Sequence, residues 1–345
     1  MEKILIKTPD SISAILTGAR WEAVVKLLPE KDVVIITDEN VYKIYGKWFP
    51  AFPVLQIKPG EGSKRLREIE SLTKKLLQAG IDRSGFILAI GGGVVCDVAG
   101  FLASVYMRGI RCGYVSTTLL SQVDASTGGK NGVNLGTVKN VIGNFNQPEF
   151  VICDPSMLRT LPEDEYLSGL AELIKTGIIG DESIIRILEG NYRKVILRDR
   201  VLLSDLVARA IKFKASVVSK DEKEAGIRRV LNFGHTFGHA IELDQSVNHG
   251  FAVAAGIKLS LLFSMLNGFI SVNESKRIMD LLEKYNLSLD YSVAASGIKK
   301  HIMHDKKKSG SDIHFVFVEG IGKPLVKKIP VGEVIDFYRN YIQDK

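Results

Sequence analysis

The sequence predicts an α/β protein with a parallel-sheet domain at residues 1–160 and an all-helical domain at residues 161–345. Two observations support this prediction. Up to about residue 155, short β-branched runs alternate with amphipathic stretches, which is typical of a parallel sheet covered by helices. From Pro162 onward, apolar residues recur with the helical period of about 3.6. We find no repeats and no low-complexity linker, so we expect the two domains to follow each other directly.

The predicted strands of the first domain are short apolar runs rich in Val, Ile, Leu and Phe. They cover residues 33–38, 52–57, 86–90, 112–116 and 150–154. The pattern KRLREIESLTKKLLQAG (64–80) predicts an amphipathic helix that ends at Gly80.

The second domain contains a series of long helical patterns and one hairpin signal. The helical patterns are EDEYLSGLAELIKTGII, VLLSDLVARAIKFKASVVSK, VLNFGHTFGHAIEL, HGFAVAAGIKLSLLFSML and NESKRIMDLLEKY. The run IHFVFVEGIGKPLVKKI (313–329) predicts a short hairpin before a last helix. The hairpin makes this domain mainly helical.

Composition indicates a globular, cytoplasmic protein. The chain has 345 residues, 46% hydrophobic and 25% charged, which is near the globular average. No apolar stretch follows MEKILIK and the longest apolar helix is broken by Lys258, so we expect neither a signal peptide nor a membrane span. Cys96, Cys112 and Cys153 lack CxxC spacing, as in reduced proteins. The net charge of +7 is spread along the chain without a nucleic-acid-binding motif, so we expect a small anionic ligand and no nucleic acid.

Three consecutive glycines, Gly91, Gly92 and Gly93, stand between a predicted strand and a helix. Such a Rossmann-like turn lets the backbone approach a pyrophosphate at the helix N-terminus. The dinucleotide pattern GxGxxG fails at its last position, where Cys96 stands, and a tight turn without a ligand explains the glycines about equally well. Polar side chains that follow two other strands favour a nucleotide site, and these are Asp38, Asn40, Glu61 and Lys64.

The run STTLLSQVDASTGGKNGVNLGTVKNVIGNFNQP (116–148) is rich in Gly, Asn, Ser and Thr and shows no clear periodicity. It contains Lys130, Lys139 and Asn140. Long aperiodic segments are uncommon in compact domains unless they are functional. We therefore predict an anion-binding loop in preference to an ordinary surface loop.

Three histidines, His235, His239 and His249, fall within 15 residues of the sequence. A metal site is one interpretation, and His235 with His239 at i and i+4 on one helix is a local way to build it. That arrangement lacks the glutamate of an HExxH helix. Structural or incidental histidines explain the spacing about equally well, so the local pattern leaves the choice open.

Five segments together resemble the 3-dehydroquinate synthase family of the sugar-phosphate cyclase superfamily. They are GGGVVCDVAGFLASVYMRG, TTLLSQVDASTGGKNGVN, AELIKTG, KDEKEAGIRRVLNFGHTFGHAIE and HDKKKSG. The resemblance covers essentially the whole chain. It implies a cytoplasmic enzyme of the shikimate pathway that uses NAD and a divalent metal, zinc or cobalt. The implied reaction converts 3-deoxy-D-arabino-heptulosonate 7-phosphate to 3-dehydroquinate and phosphate by oxidation, phosphate elimination, reduction and intramolecular aldol closure.

The resemblance also implies roles for individual residues. The metal ligands are Glu172, His235 and His249, while His239 lies on the substrate side. Arg108 reaches the phosphate from a neighbouring subunit, which implies a homodimer. The other substrate-binding or catalytic residues are Lys130, Asn140, Lys175, Lys214, Glu224, Arg228, Asn232 and Lys306. The cofactor-binding residues are Asp38, Asn40, Glu61, Lys64, Gly92, Gly93, Asp97, Thr117, Thr118, Asp124, Lys130, Lys139 and Thr160.

The chain departs from the family pattern at two positions. Phe251 stands where many members have an acidic residue, and Asn131 stands where members often have threonine. Three alternatives stay open: a cyclase that makes an inosose or a valiolone, a metal-dependent polyol dehydrogenase that releases NADH, and a binding protein without activity. The basic residues favour a substrate with both a carboxylate and a phosphate.

Overall fold

The computed structural model describes residues 1–343 except 137, 289, 292, 304–307 and 310. Contacts divide the chain into two compact units. Unit 1 comprises Met1–Leu161 and Leu197–Lys223, and unit 2 comprises Pro162–Ile196 and Glu224–Lys345. The first border, between Leu161 and Pro162, lies next to the predicted one at residue 160, but the prediction did not include the later segment that belongs to unit 1. The segment 197–223 returns to unit 1 because its helix packs on the first two strands of the chain.

The strands are named in chain order. They are β1 (Glu2–Lys7), β2 (Ile12–Thr17), β3 (Val33–Asp38), β4 (Val54–Ile57), β5 (Phe86–Gly91), β6 (Arg111–Ser116), β7 (Lys130–Leu135), β8 (Val138–Phe145), β9 (Phe150–Cys153), β10 (Lys308–Ser309), β11 (Asp312–Gly320) and β12 (Lys323–Pro330).

The α-helices are named in the same way. They are α1 (Glu39–Tyr45), α2 (Leu66–Gln78), α3 (Gly93–Val105), α4 (Glu163–Ile179), α5 (Glu182–Gly190), α6 (Tyr192–Ile196), α7 (Arg200–Val218), α8 (His235–Gln245), α9 (His249–Leu266), α10 (Val272–Lys284), α11 (Ala295–Met303) and α12 (Val331–Gln343).

Unit 1 is built on a seven-stranded sheet with the order β1-β2-β9-β6-β5-β3-β4. All neighbouring pairs are parallel except β1 with β2. The Rossmann-like α/β prediction is therefore confirmed, and the five predicted strands are β3, β4, β5, β6 and β9. These strands were recognisable because most of their residues are buried and apolar. The sequence pattern did not predict β1 and β2, since polar and apolar residues do not separate onto two faces along them: Leu5 and Ile12 are exposed, whereas Ser13 and Thr17 are buried.

The prediction of an aperiodic loop at residues 116–148 is wrong. This segment contains a π-helical turn at Ser121–Ala125, followed by the antiparallel pair of β7 and β8. The alternation is hidden because glycine and asparagine occupy strand positions, and because most residues of β8 are exposed or half-buried. A register shift between Val133 and Leu135 interrupts the ladder further.

Unit 2 is mainly helical, but it is not all-helical as the fold prediction stated. The strands β10, β11 and β12 form a three-stranded antiparallel sheet that extends the predicted hairpin. Phe315 and Phe317 on β11 pack against Phe263 of α9, and Phe337 of α12 stacks on the same ring. These aromatic rings form the centre of the core of unit 2.

The most apolar helix of unit 2 is α9. It is the one described helix that is long and apolar enough to cross a membrane, and 67% of its most apolar window is buried in the protein. Its buried residues belong to the core of unit 2. We therefore interpret α9 as a core helix.

Candidate active site

Three helices of unit 2 bring the predicted metal ligands together. Glu172 lies in the middle of α4, while His235 and His249 are the first residues of α8 and α9. The Nε2 atoms of both histidines lie 3.4 Å from Oε1 of Glu172. One ligand atom from each residue lies within 4.8 Å of the others.

Two glycines permit this close packing of the helices. A Cβ atom on Gly256 of α9 would lie 1.9 Å from the carbonyl oxygen of Gly234, the residue before α8. A Cβ atom on Gly250 would lie 2.3 Å from Cα of Ser168 in α4. Helix α9 therefore contacts the backbones on both sides of it, and its first residue lies next to Glu172.

The predicted helix over VLNFGHTFGHAIEL starts later in the structure than its pattern suggested. Residues Ile227–Asn232 form a 3-10 helix, and Gly234 adopts a left-handed conformation with φ +78° before α8 begins at His235. This break separates Asn232 from the helix that carries His235 and His239. It also leaves the ring of His235 at the start of α8, where it contacts Glu172.

Both proposed histidine ligands use their two ring nitrogens in the same way. Nδ1 of His235 lies 3.0 Å from the carbonyl oxygen of Phe233, and Nδ1 of His249 lies 3.0 Å from Oε2 of Glu242. In each ring the Nε2 atom is therefore the nitrogen that faces Glu172. Metal-binding histidines usually donate their other N–H group to a carbonyl or a carboxylate in this way.

Neighbouring charges shift the pKa values of two of the proposed ligands, Glu172 and His249, strongly. Burial alone would raise the pKa of the Glu172 carboxyl, but Lys175 and His249 lower this pKa to about 2. Burial alone would lower the pKa of His249, but Glu172 and Glu242 raise it to about 10. Lys175 Nζ lies 2.5 Å from Glu172 Oε2, and both side chains are buried. The carboxylate is thus held in its charged, metal-binding form.

His239 belongs to a second group of potential ligands. Its ring centre lies 5.1 Å from that of His235 and 6.2 Å from that of His249. Within the part of the chain that the structure describes, two groups of three side chains have ligand atoms close enough for one ion: Glu172, His235 and His249, or His239, Glu242 and His249. His235 and His239 do not share a group, so the local alternative with both on one ion has no support.

The donor set of the first group fits a catalytic metal. Two imidazole nitrogens and one carboxylate oxygen are the ligands of many catalytic zinc sites, which keep further positions open for substrate. Zinc and cobalt both accept such mixed nitrogen and oxygen ligands.

The other described residues predicted to bind substrate in unit 2 lie around the 3-10 helix before α8 and on α4. Arg228 is buried in the 3-10 helix, and Asn232 at the end of that helix donates a hydrogen bond to Glu224. Glu224 has a positive φ of 59°. Lys175 lies on α4 beside Glu172. Lys306 is outside the described residues.

In unit 1 the glycine turn lies as predicted between β5 and α3. Gly92 is the N-cap of α3 and Gly93 is its first residue. One turn further, Asp97 accepts a hydrogen bond of 2.6 Å from the buried Lys64, whose Nζ is also 3.7 Å from Glu61. Burial alone would lower the pKa of Lys64, but Asp97 and Glu61 raise it above its ordinary value. The predicted cofactor residues of this region therefore form one charged cluster beside the turn.

A second charged pair of unit 1 joins Asp124 to α7. Lys214 Nζ lies 2.5 Å from the Asp124 carboxylate and 2.7 Å from its carbonyl oxygen. The backbone N–H of Thr117 donates to the carbonyl oxygen of Gly91, and Thr118 is hydrogen-bonded to Ser121. Thr117 and Thr118 thus join the end of β6 to the glycine turn and to the π-helical turn.

The remaining cofactor predictions lie near the ends of β3 and β9. Asp38 ends β3 and caps α1 by accepting a hydrogen bond of 3.0 Å from the N–H of Val41, and Asn40 is exposed in the first turn of α1. Thr160 is exposed and its hydroxyl lies 2.8 Å from that of Tyr45. Asp38 therefore acts as the N-cap of α1, and its role at the cofactor stays a prediction.

Three residues of the predicted anion-binding segment lie on the hairpin of β7 and β8. Lys130 begins β7, while Lys139 and Asn140 lie on β8, where Asn140 has a positive φ of 50°. Arg108 is exposed in a 3-10 turn after α3 and has φ +68°. Helix α3 ends at Val105, so Arg108 lies beyond its last residue.

The two departures from the family pattern have different surroundings. Asn131 is buried, donates to the carbonyl oxygens of Gly129 and Asn146, and accepts a hydrogen bond from the Tyr114 hydroxyl. Phe251 is half-buried in the first turn of α9. Asn131 thus joins the two ends of the β7–β8 hairpin to each other and to β6.

Two polar residues that contact predicted site residues were not predicted from the sequence. Glu242 contacts His249, and Asn134 donates a hydrogen bond of 2.8 Å to Glu61. Glu242 lies seven residues after His235, a spacing that places both on one helix face. That spacing was the signal that could have identified Glu242. No local signal joins Asn134 to Glu61, because the two are far apart in the sequence.

The parallel sheet with its glycine turn in unit 1 and the Glu-His-His cluster in unit 2 are features of a metal-dependent enzyme with a nucleotide cofactor. The sequence matches the family models of the 3-dehydroquinate synthase N-terminal region at residues 54–168 and C-terminal region at residues 169–308. It is 38% identical over 348 residues to a 3-dehydroquinate synthase of Solibacter usitatus, covering 94% of this chain and 98% of the relative. The chain belongs to the 3-dehydroquinate synthase family, whose members are NAD- and metal-dependent phosphorus-oxygen lyases.

Two solved structures share the fold at low identity. A 2-deoxy-scyllo-inosose synthase complexed with carbaglucose-6-phosphate, NAD+ and Co2+ aligns with a TM-score of 0.88 and 24% identity, over 98% of this chain and 100% of that one. A 2-epi-5-epi-valiolone synthase of Streptomyces hygroscopicus with NAD+ and Zn2+ bound aligns with a TM-score of 0.88 and 23% identity, over 96% of this chain and 97% of that one. These two similarities concern the fold alone.

Proposed function

We propose that this chain converts 3-deoxy-D-arabino-heptulosonate 7-phosphate to 3-dehydroquinate and phosphate, as a cytoplasmic homodimer with NAD and a zinc or cobalt ion. The observation that carries the proposal is the Glu172, His235 and His249 cluster in a chain that is 38% identical to a 3-dehydroquinate synthase over nearly its full length. The inosose and valiolone alternatives have only fold-level similarity in their favour.

In the proposed site, Glu172, His235 and His249 hold the metal. When bound, the metal polarises the reacting oxygens of the substrate, and NAD takes up a hydride and returns it. The low pKa of Glu172 keeps this ligand charged at neutral pH. His239 contacts the substrate, since its ring lies beside those of both histidine ligands.

The cofactor contacts are assigned to residues around the glycine turn. The backbone of Gly92 and Gly93 at the start of α3 suits the pyrophosphate, because a helix N-terminus favours negative charge. Asp38, at the end of a neighbouring parallel strand, suits a ribose hydroxyl. The further cofactor contacts of the proposal are Asn40, Glu61, Lys64, Asp97, Thr117, Thr118, Asp124, Lys130, Lys139 and Thr160.

The substrate carries a phosphate and a carboxylate, and both need cationic partners. We assign Lys130, Asn140, His239, Lys306 and Arg108 of a neighbouring subunit to the phosphate end. We assign Lys214, Arg228 and Asn232 to the carboxylate and the ring oxygens, with Lys175 and Glu224 close by.

Product analysis tests the proposed function. Purified protein is incubated with NAD, zinc and the heptulosonate phosphate, and the products are identified by mass spectrometry. We expect 3-dehydroquinate and free phosphate in equal amounts, without net NADH. Net NADH formation would identify a dehydrogenase, and absence of any product would refute the proposal.

A further inference from the structure

Glu242 is a buried carboxylate that no part of the proposed reaction uses. It lies on α8, two turns after His235, and its side chain is 9% exposed. Its Oε2 atom lies 3.0 Å from Nδ1 of His249, the first residue of α9. A carboxylate from one helix thus contacts the ring of a proposed metal ligand on the next.

This contact determines how the ring of His249 can act. A neutral imidazole carries a hydrogen on one nitrogen and a lone pair on the other. When the ring is neutral, as metal binding requires, a hydrogen bond from Nδ1 to Glu242 leaves the lone pair on Nε2, which is the atom 3.4 Å from Glu172 Oε1. In the same way, the carbonyl oxygen of Phe233 accepts a hydrogen bond from Nδ1 of His235 and leaves the lone pair of that ring on Nε2, where it can bind an ion.

The ring of His249 depends on this support more than the ring of His235 does. The His249 side chain is 31% exposed, whereas that of His235 is 11% exposed. Packing therefore restricts the orientation of the His249 ring less than that of the His235 ring. The hydrogen bond to Glu242 accordingly has more influence on how the His249 ring is oriented. The carboxylate also makes the imidazole a stronger ligand than a carbonyl contact does.

We propose that Glu242 is a positioning residue of the metal site, which holds His249 in the orientation and tautomer that bind the ion through Nε2. This inference rests on the proposed function, because it takes His249 as a ligand. Glu242 itself does not bind the ion. The competing arrangement, in which Glu242 binds an ion together with His239 and His249, is one outcome of the test.

The test measures zinc affinity by competition with a chromophoric chelator in wild-type protein and in Glu242→Ala, Glu242→Gln and His249→Ala. Loss of an outer-shell partner typically weakens metal binding about 10–100-fold, and we expect this loss for Glu242→Ala. Glu242→Gln keeps an oxygen that accepts from Nδ1, so we expect it to stay within about threefold of the wild type. Asp244→Ala is the matched control, because Asp244 lies exposed on the same helix and accepts from Gln245.

A double-mutant cycle separates positioning from direct ligation. If Glu242 acts through His249, Glu242→Ala has no further effect on zinc affinity in a His249→Ala background. If Glu242 is a ligand, the double variant loses more affinity than His249→Ala alone, and Glu242→Gln fails to restore binding. Either result overturns the inference.

The same measurements distinguish failure of the inference from failure of the metal site. Unchanged zinc affinity in His249→Ala shows that the ligand assignment is wrong. Reduced affinity in His249→Ala with unchanged affinity in Glu242→Ala refutes the inference alone. Thermal unfolding of the metal-free variants completes the test, since a purely structural role of Glu242 predicts lower stability without a specific loss of zinc affinity.

Discussion

Lys175 and Glu172 form a buried ion pair on α4, with Nζ of the lysine 2.5 Å from Oε2 of the glutamate. The two residues are three positions apart and therefore lie on one face of the helix. Glu172 is also within 3.4 Å of both histidines that we assign to the metal. Lys175 is thus, together with His249, a cationic partner that stabilises the charged form of Glu172.

We expect Lys175→Met to destabilise the metal-free protein more than the zinc-loaded protein. Removal of one partner of a buried ion pair costs about 3–5 kcal/mol, and a bound cation replaces the lost charge. The measurement is the midpoint of thermal unfolding with a chelator and with zinc. Lys74→Ala is the control, since its exposed ion pair with Glu70 is too solvated to matter. Equal destabilisation in both states would contradict the prediction.

The metal assignment predicts different outcomes for the three neighbouring histidines. His235→Ala and His249→Ala should lose bound zinc, because two protein ligands hold the ion much less tightly than three. His239→Ala should keep nearly one zinc per chain and lose activity. Metal analysis of the purified variants checks this. Zinc lost from His239→Ala but retained in His235→Ala would show that the assignment is wrong.

The proposed reaction requires NAD without consuming it. We expect cofactor-depleted enzyme to recover activity with less than one equivalent of NAD and to complete many turnovers on it. Phosphate release measured against added NAD provides the test. Product formation that stops after one equivalent per NAD would rule out an internal redox cycle.

A shared active site predicts complementation between inactive variants. Arg108→Ala and Lys214→Ala are unfolded and refolded together, so that mixed dimers form. If Arg108 acts in the partner's site, each mixed dimer has one intact site, and random pairing restores about a quarter of wild-type activity. If Arg108 acts in its own subunit, both sites of every mixed dimer carry a lesion. Absence of recovery in proven mixed dimers would exclude the shared site.

Asn131 provides a prediction about stability. Its side chain makes hydrogen bonds to two backbone carbonyls and to the buried hydroxyl of Tyr114. Asn131→Ala removes these hydrogen bonds, each of which typically contributes about 0.5–1.5 kcal/mol to stability. Chemical denaturation measures the change in the free energy of unfolding. Stability equal to that of the wild type would mean that water replaces the amide without loss.

The sheet of unit 1 was predictable because its signals are local. The strand at 33–38 begins with four apolar residues and the strand at 86–90 is apolar throughout, and a buried parallel strand produces that pattern directly. The hairpin of β7 and β8 was not predictable, since glycine and asparagine residues interrupt the alternation that identifies a strand. The strands β1 and β2 were missed for the related reason that polar residues interrupt their apolar pattern.

The candidate metal site was only partly predictable from local spacing. The sequence indicated that three histidines are close in the chain, but it could not exclude a site made of His235 and His239. The contact between Glu172 and His249 depends on how α4, α8 and α9 pack, and no local pattern encodes that packing. Similarity to a known family supplied the ligand set, and the distances in unit 2 are consistent with it.

The close approach at Gly256 and Gly250 has a consequence for the evolution of this chain. Neither position leaves space for a single methyl group, because the nearest atoms belong to backbones that cannot rotate away. In a library of random variants, nearly every substitution at these two codons should therefore be absent from the functional clones. Neither glycine is among the residues that we assign to substrate, cofactor or metal, yet both should tolerate as little change as the ligands themselves.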